Sequence, residues 1–421
     1  MNEYSISAFR SVDGVIAPDK LELTDAELQQ ARVQEQSAND PAPQPDTLIR
    51  RISRFIATFS AATPLTAKWP DQDAHAPDYR HLSASTIGAA TTFNLTPGVI
   101  ELLIGANRFD PHGKNDVIAL AFRGLALGTA AEIGTRHEME NATSIEVTDV
   151  RPNHSDYRCL LGFYKRDADP TKRRLTLFSG STVPNPHYMR GYYNKVNFGT
   201  PFSTACNMVP TGGYVFRVAS HHAGTIKPAL RMTDPDDLAQ DAKCTVLRTT
   251  NDLIFGLDDT WDTGMPFDNV HCTYVTARKP EWEAAFSSAG CLTVRGKQVA
   301  SDQWAKFQAV LNQLGQGSRC DLMLLTGRDA RIAAAMLLNG QSGNDVVLRR
   351  ELVRLRPGSQ SAEVARLREK LGLSAGNYFG PITKKKLTER QTQQGQPADG
   401  IFTPELDSLW GWSVFDAPPD T

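Results

Sequence analysis

Ser287-Ser288-Ala289-Gly290-Cys291 is a run of small residues that ends in a cysteine, and Val270-His271 lies upstream of it. Sixteen residues separate His271 from Ser288. A free thiol is mostly protonated near neutrality, with a pKa of about 8.5. A neighbouring imidazole turns it into a thiolate nucleophile. The small residues permit a tight turn that presents the sulfur and aims the backbone N–H groups of Gly290 and Cys291 at a developing oxyanion. The competing reading is structural. Cysteine is often a small buried hydrophobe, and this chain has six, at 159, 206, 244, 272, 291 and 320.

The residues around this stretch predict strands and turns. Leu175-Thr176-Leu177-Phe178 reads as a strand running into Ser179-Gly180-Ser181-Thr182. Asn207-Met208-Val209-Pro210-Thr211-Gly212-Gly213 leads into a second strand, Tyr214-Val215-Phe216-Arg217-Val218. Pro, Thr and Gly favour turns, whereas Val, Phe and Tyr favour strands. Asp268 and Asn269 stand just before Val270-His271. Either of them orients the ring, since a base needs a third group, or both cap a turn. Cys272, beside the histidine, faces the other side if the segment is extended.

The far end of the chain carries a different pattern. Leu355-Arg356-Pro357-Gly358-Ser359 precedes a helix with Val364, Leu367 and Leu371 on one face. Phe379-Gly380-Pro381 and, 23 residues on, Phe402-Thr403-Pro404 each place proline where a helix begins. Leu387 and Trp410 keep the same spacing. Two near-copies of one turn-helix unit predict a small three-helix fold with repeat character.

In this order, the strand with its Ser-Gly turn, the Pro-Thr-Gly hairpin, the histidine and Ser-x-Gly-Cys resemble the L,D-transpeptidase catalytic domain, over roughly residues 145–330. The segment at about 352–412 is similar to the peptidoglycan-binding domain of wall hydrolases, with Arg390 before Gln391 where that family usually carries an aromatic. The implied fold class is multidomain α+β. Residues 1–140 form a mostly helical region of unknown role, 141–345 a β-rich catalytic domain, and 352–412 a three-helix module.

The implied chemistry is acyl transfer on the stem peptides of peptidoglycan through a thioester. Cys291 is the nucleophile, His271 the base, and Ser288 and Gly290 shape the catalytic turn. Gly290, Cys291, Arg295, Asn269 and Asp268 are oxyanion or substrate candidates. Phe379, Gly380, Pro381, Asp399 and Gly400 are wall-binding candidates. The family usually has an arginine two residues after the cysteine and often a histidine two residues before it. Here Thr293 and Ala289 hold those places, which leaves the acceptor open. With water as acceptor, the reaction is that of an L,D-carboxypeptidase or endopeptidase, delivered as a wall-targeting effector. A vestigial Cys–His pair would leave a non-catalytic peptidoglycan-binding protein.

Composition narrows the classes. The 421 residues allow two or three domains, and a net charge of −2 gives no footing for nucleic acid. No run of 18 apolar residues suits a membrane span. The cysteines lack Cys-x-x-Cys spacing, and His137-Glu138-Met139-Glu140-Asn141 has Asn where a second zinc-binding His is needed, so neither a metal nor a cofactor is expected. The adjacent pair His221-His222 points to opposite faces of a strand and reads as structural or substrate-facing. Asp236-Asp237 and Asp258-Asp259 read as solvated turns.

Thr24-Asp25-Ala26-Glu27 opens a polar helix, Pro41, Pro43 and Pro45 make a stiff linker, and Leu48, Ile49, Ile52, Phe55 and Ile56 share a helical face. Met1-Asn2-Glu3-Tyr4 lacks the basic start and apolar core of a secretory signal. An enzyme acting in the periplasm or cell envelope would then need another export route. A secretion machinery and an immunity protein join peptidoglycan as expected partners.

Overall fold

Val117–Arg123 alternates between two apolar environments. Ile118, Leu120 and Phe122 enter one core cluster, while Ala119 and Ala121 enter another. Arg319–Thr326 does the same, with Met323 and Leu325 on one side and Cys320, Leu322 and Leu324 on the other. Successive side chains of a strand point to opposite faces. A sheet covered on both faces therefore needs near-continuous apolar strands, as these are.

The computed structural model describes residues 92–112, 116–150, 152, 154, 156–185, 188–189, 206–221, 226–248, 260–274, 285–297, 302–340 and 352–415, with the short ladder between Ser5–Ile6 and Leu21–Glu22. The capping box at 24–27, the proline linker, the helix at 48–56, His222 and Asp258-Asp259 lie outside these residues.

From residue 92 onward the strands are β1 (Thr92–Leu95), β2 (Val117–Arg123), β3 (Leu125–Leu127), β4 (Glu138–Ala142), β5 (Ile145–Asp149), β6 (Cys159–Lys165) and β7 (Arg174–Ser181). They continue with β8 (Gly212–His221), β9 (Ile226–Met232), β10 (Cys244–Arg248), β11 (Thr260–Gly264), β12 (Asn269–Tyr274), β13 (Leu292–Lys297) and β14 (Arg319–Thr326). Eight of them form a barrel-like ring in the order β13, β12, β9, β8, β14, β2, β6, β7. Pairing of Thr293 with Ser181 and Val294 with Gly180 closes it. Glycine is required at that closure, because a Cβ on Gly180 would lie 2.2 Å from the Thr293 carbonyl oxygen. β4 extends the sheet along the earlier part of β7. The β2–β14 and β12–β13 pairs are parallel and the others antiparallel.

Helix α1 (Pro97–Ala106) starts with Thr96 as its cap, whose side chain accepts from the Val99 N–H, and with proline in its first turn. It packs with α3 (Gly327–Leu338) on one face of the sheet. Helix α2 (Gln303–Leu314), capped by Asp302, packs Trp304, Phe307, Leu311 and Leu314 against the other face. Each of these large side chains contributes roughly 1.5–3 kcal/mol by leaving water.

The expected boundary at residue 141 does not hold. β2 is an interior strand of the ring, paired with both β6 and β14, and residues 92–142 supply strands and a helix to the same cores. Residues 99–127, apolar stretches alternating with Gly and Pro, pack into these cores, while the helices expected near 24–36 and 48–56 fall outside the described residues.

The C-terminal helices are α4 (Ala362–Lys370), α5 (Pro381–Gln393) and α6 (Pro404–Trp410), around Val353, Leu355, Val364, Leu367, Phe379, Leu387 and Phe402. Both prolines occupy the first turn as expected. Arg390, the departure from an aromatic, lies 5.9 Å from each of the Trp410 and Trp412 ring centres, so a cation fills the space against those rings. This unit is docked on the barrel. Buried Arg354 donates to the Thr211 hydroxyl at 2.7 Å, and Arg108 pairs with buried Glu363 at 2.9 Å. The Thr245 and Tyr378 hydroxyls meet at 3.4 Å.

Candidate functional site: a cysteine and two imidazoles on the outer sheet face

β12 and β13 run parallel, with His271 in register with Thr293. Val270, Cys272, Leu292 and Val294 all point into the α2-side core. Alternation therefore sends Asn269, His271 and Thr273, and on the neighbouring strand Cys291, Thr293 and Arg295, to the opposite face. Cys291 sits where the chain enters β13, two residues before the partner of His271. Cys272 is buried in the core, and its thiol is pushed up to about 12 by burial. Of the six cysteines Cys291 alone is partly exposed.

The turn before Cys291 is held from both sides. The Ser288 hydroxyl donates to the Cys291 carbonyl at 2.6 Å and accepts from the Gly290 N–H at 3.0 Å. Asn185 binds the segment with its backbone N–H on the Ser288 carbonyl and its amide on the Phe286 carbonyl, both at 2.9 Å. The Asn207 N–H donates to the Ala289 carbonyl at 2.9 Å. Gly290 has no room for a side chain, since a Cβ would lie 2.3 Å from Asn207 Oδ1 and 2.5 Å from Asp268 Oδ1.

One sequence-based role changes here. The Gly290 N–H is spent on Ser288 and is not directed at an oxyanion. Ser288, expected to shape the catalytic turn, is held within it by bonds to the Cys291 carbonyl and the Gly290 N–H. Both bonds reflect the ease with which a hydroxyl bonds nearby backbone groups.

His271 is 6% exposed, and its Nδ1 lies 2.5 Å from the Cys272 carbonyl oxygen. A carbonyl only accepts, so Nδ1 carries the proton and Nε2 keeps its lone pair. The orienting group is thus a backbone carbonyl and not Asp268 or Asn269. Asn269 acts elsewhere: its backbone N–H approaches Cys291 Sγ at 3.5 Å, and its side-chain amide bonds His221 Nδ1 at 3.0 Å.

His221, expected to be structural or substrate-facing, joins this pair. Its ring stacks on that of His271, with centres 4.5 Å apart and planes 11° from parallel. Donor atoms of His221, His271 and Cys291 lie within 4.8 Å of one another. The adjacency of two histidines was the available signal. Asn185 and Asn207 offered none, because their roles depend on long-range packing.

Asp268 is buried behind Gly290, bonded to the Asn207 side chain. Burial pushes its carboxyl up to about 7 against the pull of Arg248 and Asn207. Cys291 is pushed up to about 12, first by burial and then by Asp268, with the Asn269 N–H pulling the other way. The resting thiol is therefore neutral, with Sγ 3.7 Å from the Phe267 carbonyl oxygen as its acceptor.

Arg295 shares the outer face but lies four residues along the strand, roughly 13 Å away. It donates to Gln303 and lies 6.0 Å from the Tyr157 ring centre. His137, from the discarded zinc string, lies 3.3 Å from the Ser179 hydroxyl, in a cluster with Tyr157. Asp236 and Asp237 form an exposed turn with Asp234.

The wall-binding candidates take structural positions. Phe379 is fully buried, Gly380 caps α5, and Pro381 opens it. Asp399 accepts from the Ile401 N–H and the Gln391 amide, while Gly400 adopts φ +71°. These residues build the module, and a ligand would have to be read by its exposed neighbours.

No family model, curated protein or solved structure matches the chain. Among the described residues no helix is long and apolar enough to cross a membrane.

Proposed function

We propose that the protein is a cysteine acyl-transfer enzyme of the cell wall, acting on peptidoglycan stem peptides as an L,D-transpeptidase does. The observation that carries this reading is the His271–Cys291 arrangement. A tautomer-locked imidazole and the chain's one partly exposed thiol share an outer sheet face, with their donor atoms within 4.8 Å.

In this mechanism His271 Nε2 takes the Cys291 proton as sulfur attacks an amide carbonyl of the stem peptide. The amine leaves with that proton, and a thioester remains. A second amine then gives a cross-link, or water gives hydrolysis. Burial favours attack without a standing thiolate, because the neutral pair costs no charge separation at rest.

The test is incubation of purified sacculi with the protein and resolution of the muropeptides by mass. New cross-links or shortened stems that vanish with Cys291→Ala support the reading. An unchanged muropeptide profile with wild-type protein overturns it in favour of a binding protein.

A further inference from the structure

His221 ends β8 where the pairing with β9 slips between Ala219 and His221. Such an irregularity re-aims a side chain, and here the imidazole lies flat on His271. The Asn269 amide that touches it has a fixed orientation. Its Oδ1 accepts from the Met232 N–H at 3.1 Å, and its Nδ2 donates to the Phe267 carbonyl at 2.8 Å. A flipped amide would set nitrogen against N–H and oxygen against carbonyl. The second Nδ2 hydrogen therefore points at His221 Nδ1, which must accept it, and the ring's proton sits on Nε2. The two stacked imidazoles are thus held in opposite tautomers. His271 donates through Nδ1 and keeps a lone pair on Nε2; His221 accepts at Nδ1 and carries hydrogen on Nε2.

This arrangement bears on what the cluster can do. A histidine that ligates a metal gives its other N–H to an acceptor. His271 meets that condition through the Cys272 carbonyl. His221 does not, because Asn269 presents a donor. The three atoms within 4.8 Å are therefore better suited to holding a proton-transfer pair than an ion. Protonating His221 would also place a second hydrogen against the Asn269 amide, so the ring stays uncharged beside its neighbour.

We propose that His221 is a positioning residue for the His271–Cys291 pair: a neutral imidazole, locked by Asn269, that braces the His271 ring and stabilises the cation formed there. In that step the Cys291 S–H bond breaks, its proton passes to His271 Nε2, and the electron pair stays on sulfur. A neutral aromatic face attracts a cation, whereas a second cation would repel it. The inference rests on the Cys–His reading above. Among the described residues, Cys291 and Asp268 behind Gly290 lie about the pair with Arg248 acting on Asp268, and Arg231, in register with Asn269 on the same sheet face, stands beside them ion-paired to Asp241.

The experiment follows iodoacetamide alkylation of Cys291 in the full chain against pH, with the modified residue read by mass. His221→Leu should slow alkylation near neutrality about three- to thirtyfold, the span of one stacked cation contact, and move the profile to higher pH. His221→Phe, a flat neutral ring, should restore part of the rate. Asn269→Asp, which offers an acceptor to Nδ1 and lets His221 charge, should add an inflection on the acid side. A His221→Leu profile that overlays the wild type overturns the proposal, as does stoichiometric Zn²⁺ protection of Cys291 that requires His221. His271→Ala separates the two claims. If it too overlays the wild type, the Cys–His reading itself has failed; if it alone shifts the profile, only the role of His221 has.

Discussion

The C-terminal helical unit and the outer-face site are built on opposite principles. In the helical unit, neighbours in sequence are neighbours in space. Phe379 and Phe402, 23 residues apart, begin equivalent turns and meet in one core. In the site, the working contacts join β8, β12 and the turn before β13, so His221, Asn269 and Cys291 converge from 70 residues of chain. The first region spends its distinctive residues on packing. The second spends them on tautomers, a pinched turn and a buried carboxyl. Distinctive sequence is thus a poor guide to ligand contact in the helical unit and an incomplete one in the site.

The sharpest way to test that contrast is to remove one group from each region. Cys291→Ala should lower turnover at least about a thousandfold and leave the thermal midpoint near that of the wild type, since only sulfur is lost. Phe402→Ala should do the reverse to the helical unit, costing about 3–5 kcal/mol through the cavity it leaves. Calorimetry and muropeptide turnover on both variants check the pair. A large stability loss in Cys291→Ala would mean the thiol is structural after all.

Truncation before residue 352 tests whether the two regions are separable. The sequence reads as a tether, whose removal would weaken wall binding and spare chemistry on small substrates. The seam argues otherwise. Arg354 and Glu363 are buried with partners in the barrel, at Thr211 and Arg108. Removing residues from 352 onward takes Leu352 out of the core that α1 and α3 share with the sheet and opens to water the surface that the unit covers. The shortened chain should melt earlier and lose turnover even on soluble muropeptides. Unchanged melting would restore the tether picture.

How much was legible follows from the same contrast. Leu175–Phe178, Tyr214–Val218 and the helices opening at Pro381 and Pro404 lie where local propensity put them. Cys291 and His271 share one face because strand alternation is also local. Closure of β7 on β13 was not legible, since it depends on one glycine admitting a distant carbonyl. Nor was the assignment of β2 to the barrel, because a short apolar strand has no period to separate it from a buried helix. His221 was visible only as half of a pair, and its meaning came from an asparagine 48 residues away. Gly290, read as an oxyanion donor, is needed instead for its missing side chain. Gly290→Ala should cost about 1–3 kcal/mol by overpacking against Asn207 and Asp268, with slower Cys291 alkylation; denaturant melts and labelling rates check both.

The smallest effect expected is also the most specific. Asp268 is an acid whose folded pKa, at about 7, stands above its ordinary 3.8, because burial disfavours the anion. The folded state therefore holds this proton more tightly than the unfolded chain does. The stability that follows is fully present below the unfolded pKa and is lost as pH rises through about 7. Asp149, raised to about 7 in the same way, adds a parallel loss, so the wild-type slope alone does not isolate Asp268. Asp268→Asn does. Its amide oxygen still accepts from Asn207, but the group no longer ionises, so the decline toward alkaline pH should become shallower by one proton's worth. The same substitution should speed Cys291 alkylation above neutrality, because the anion that helps raise the thiol is gone. The difference in thermal midpoint between the two proteins should change between about pH 3.8 and 7 and stay constant above that, whereas their labelling rates should part company only above about 7. Equal labelling throughout would mean that Asp268 supports the turn without setting the reactivity of the sulfur.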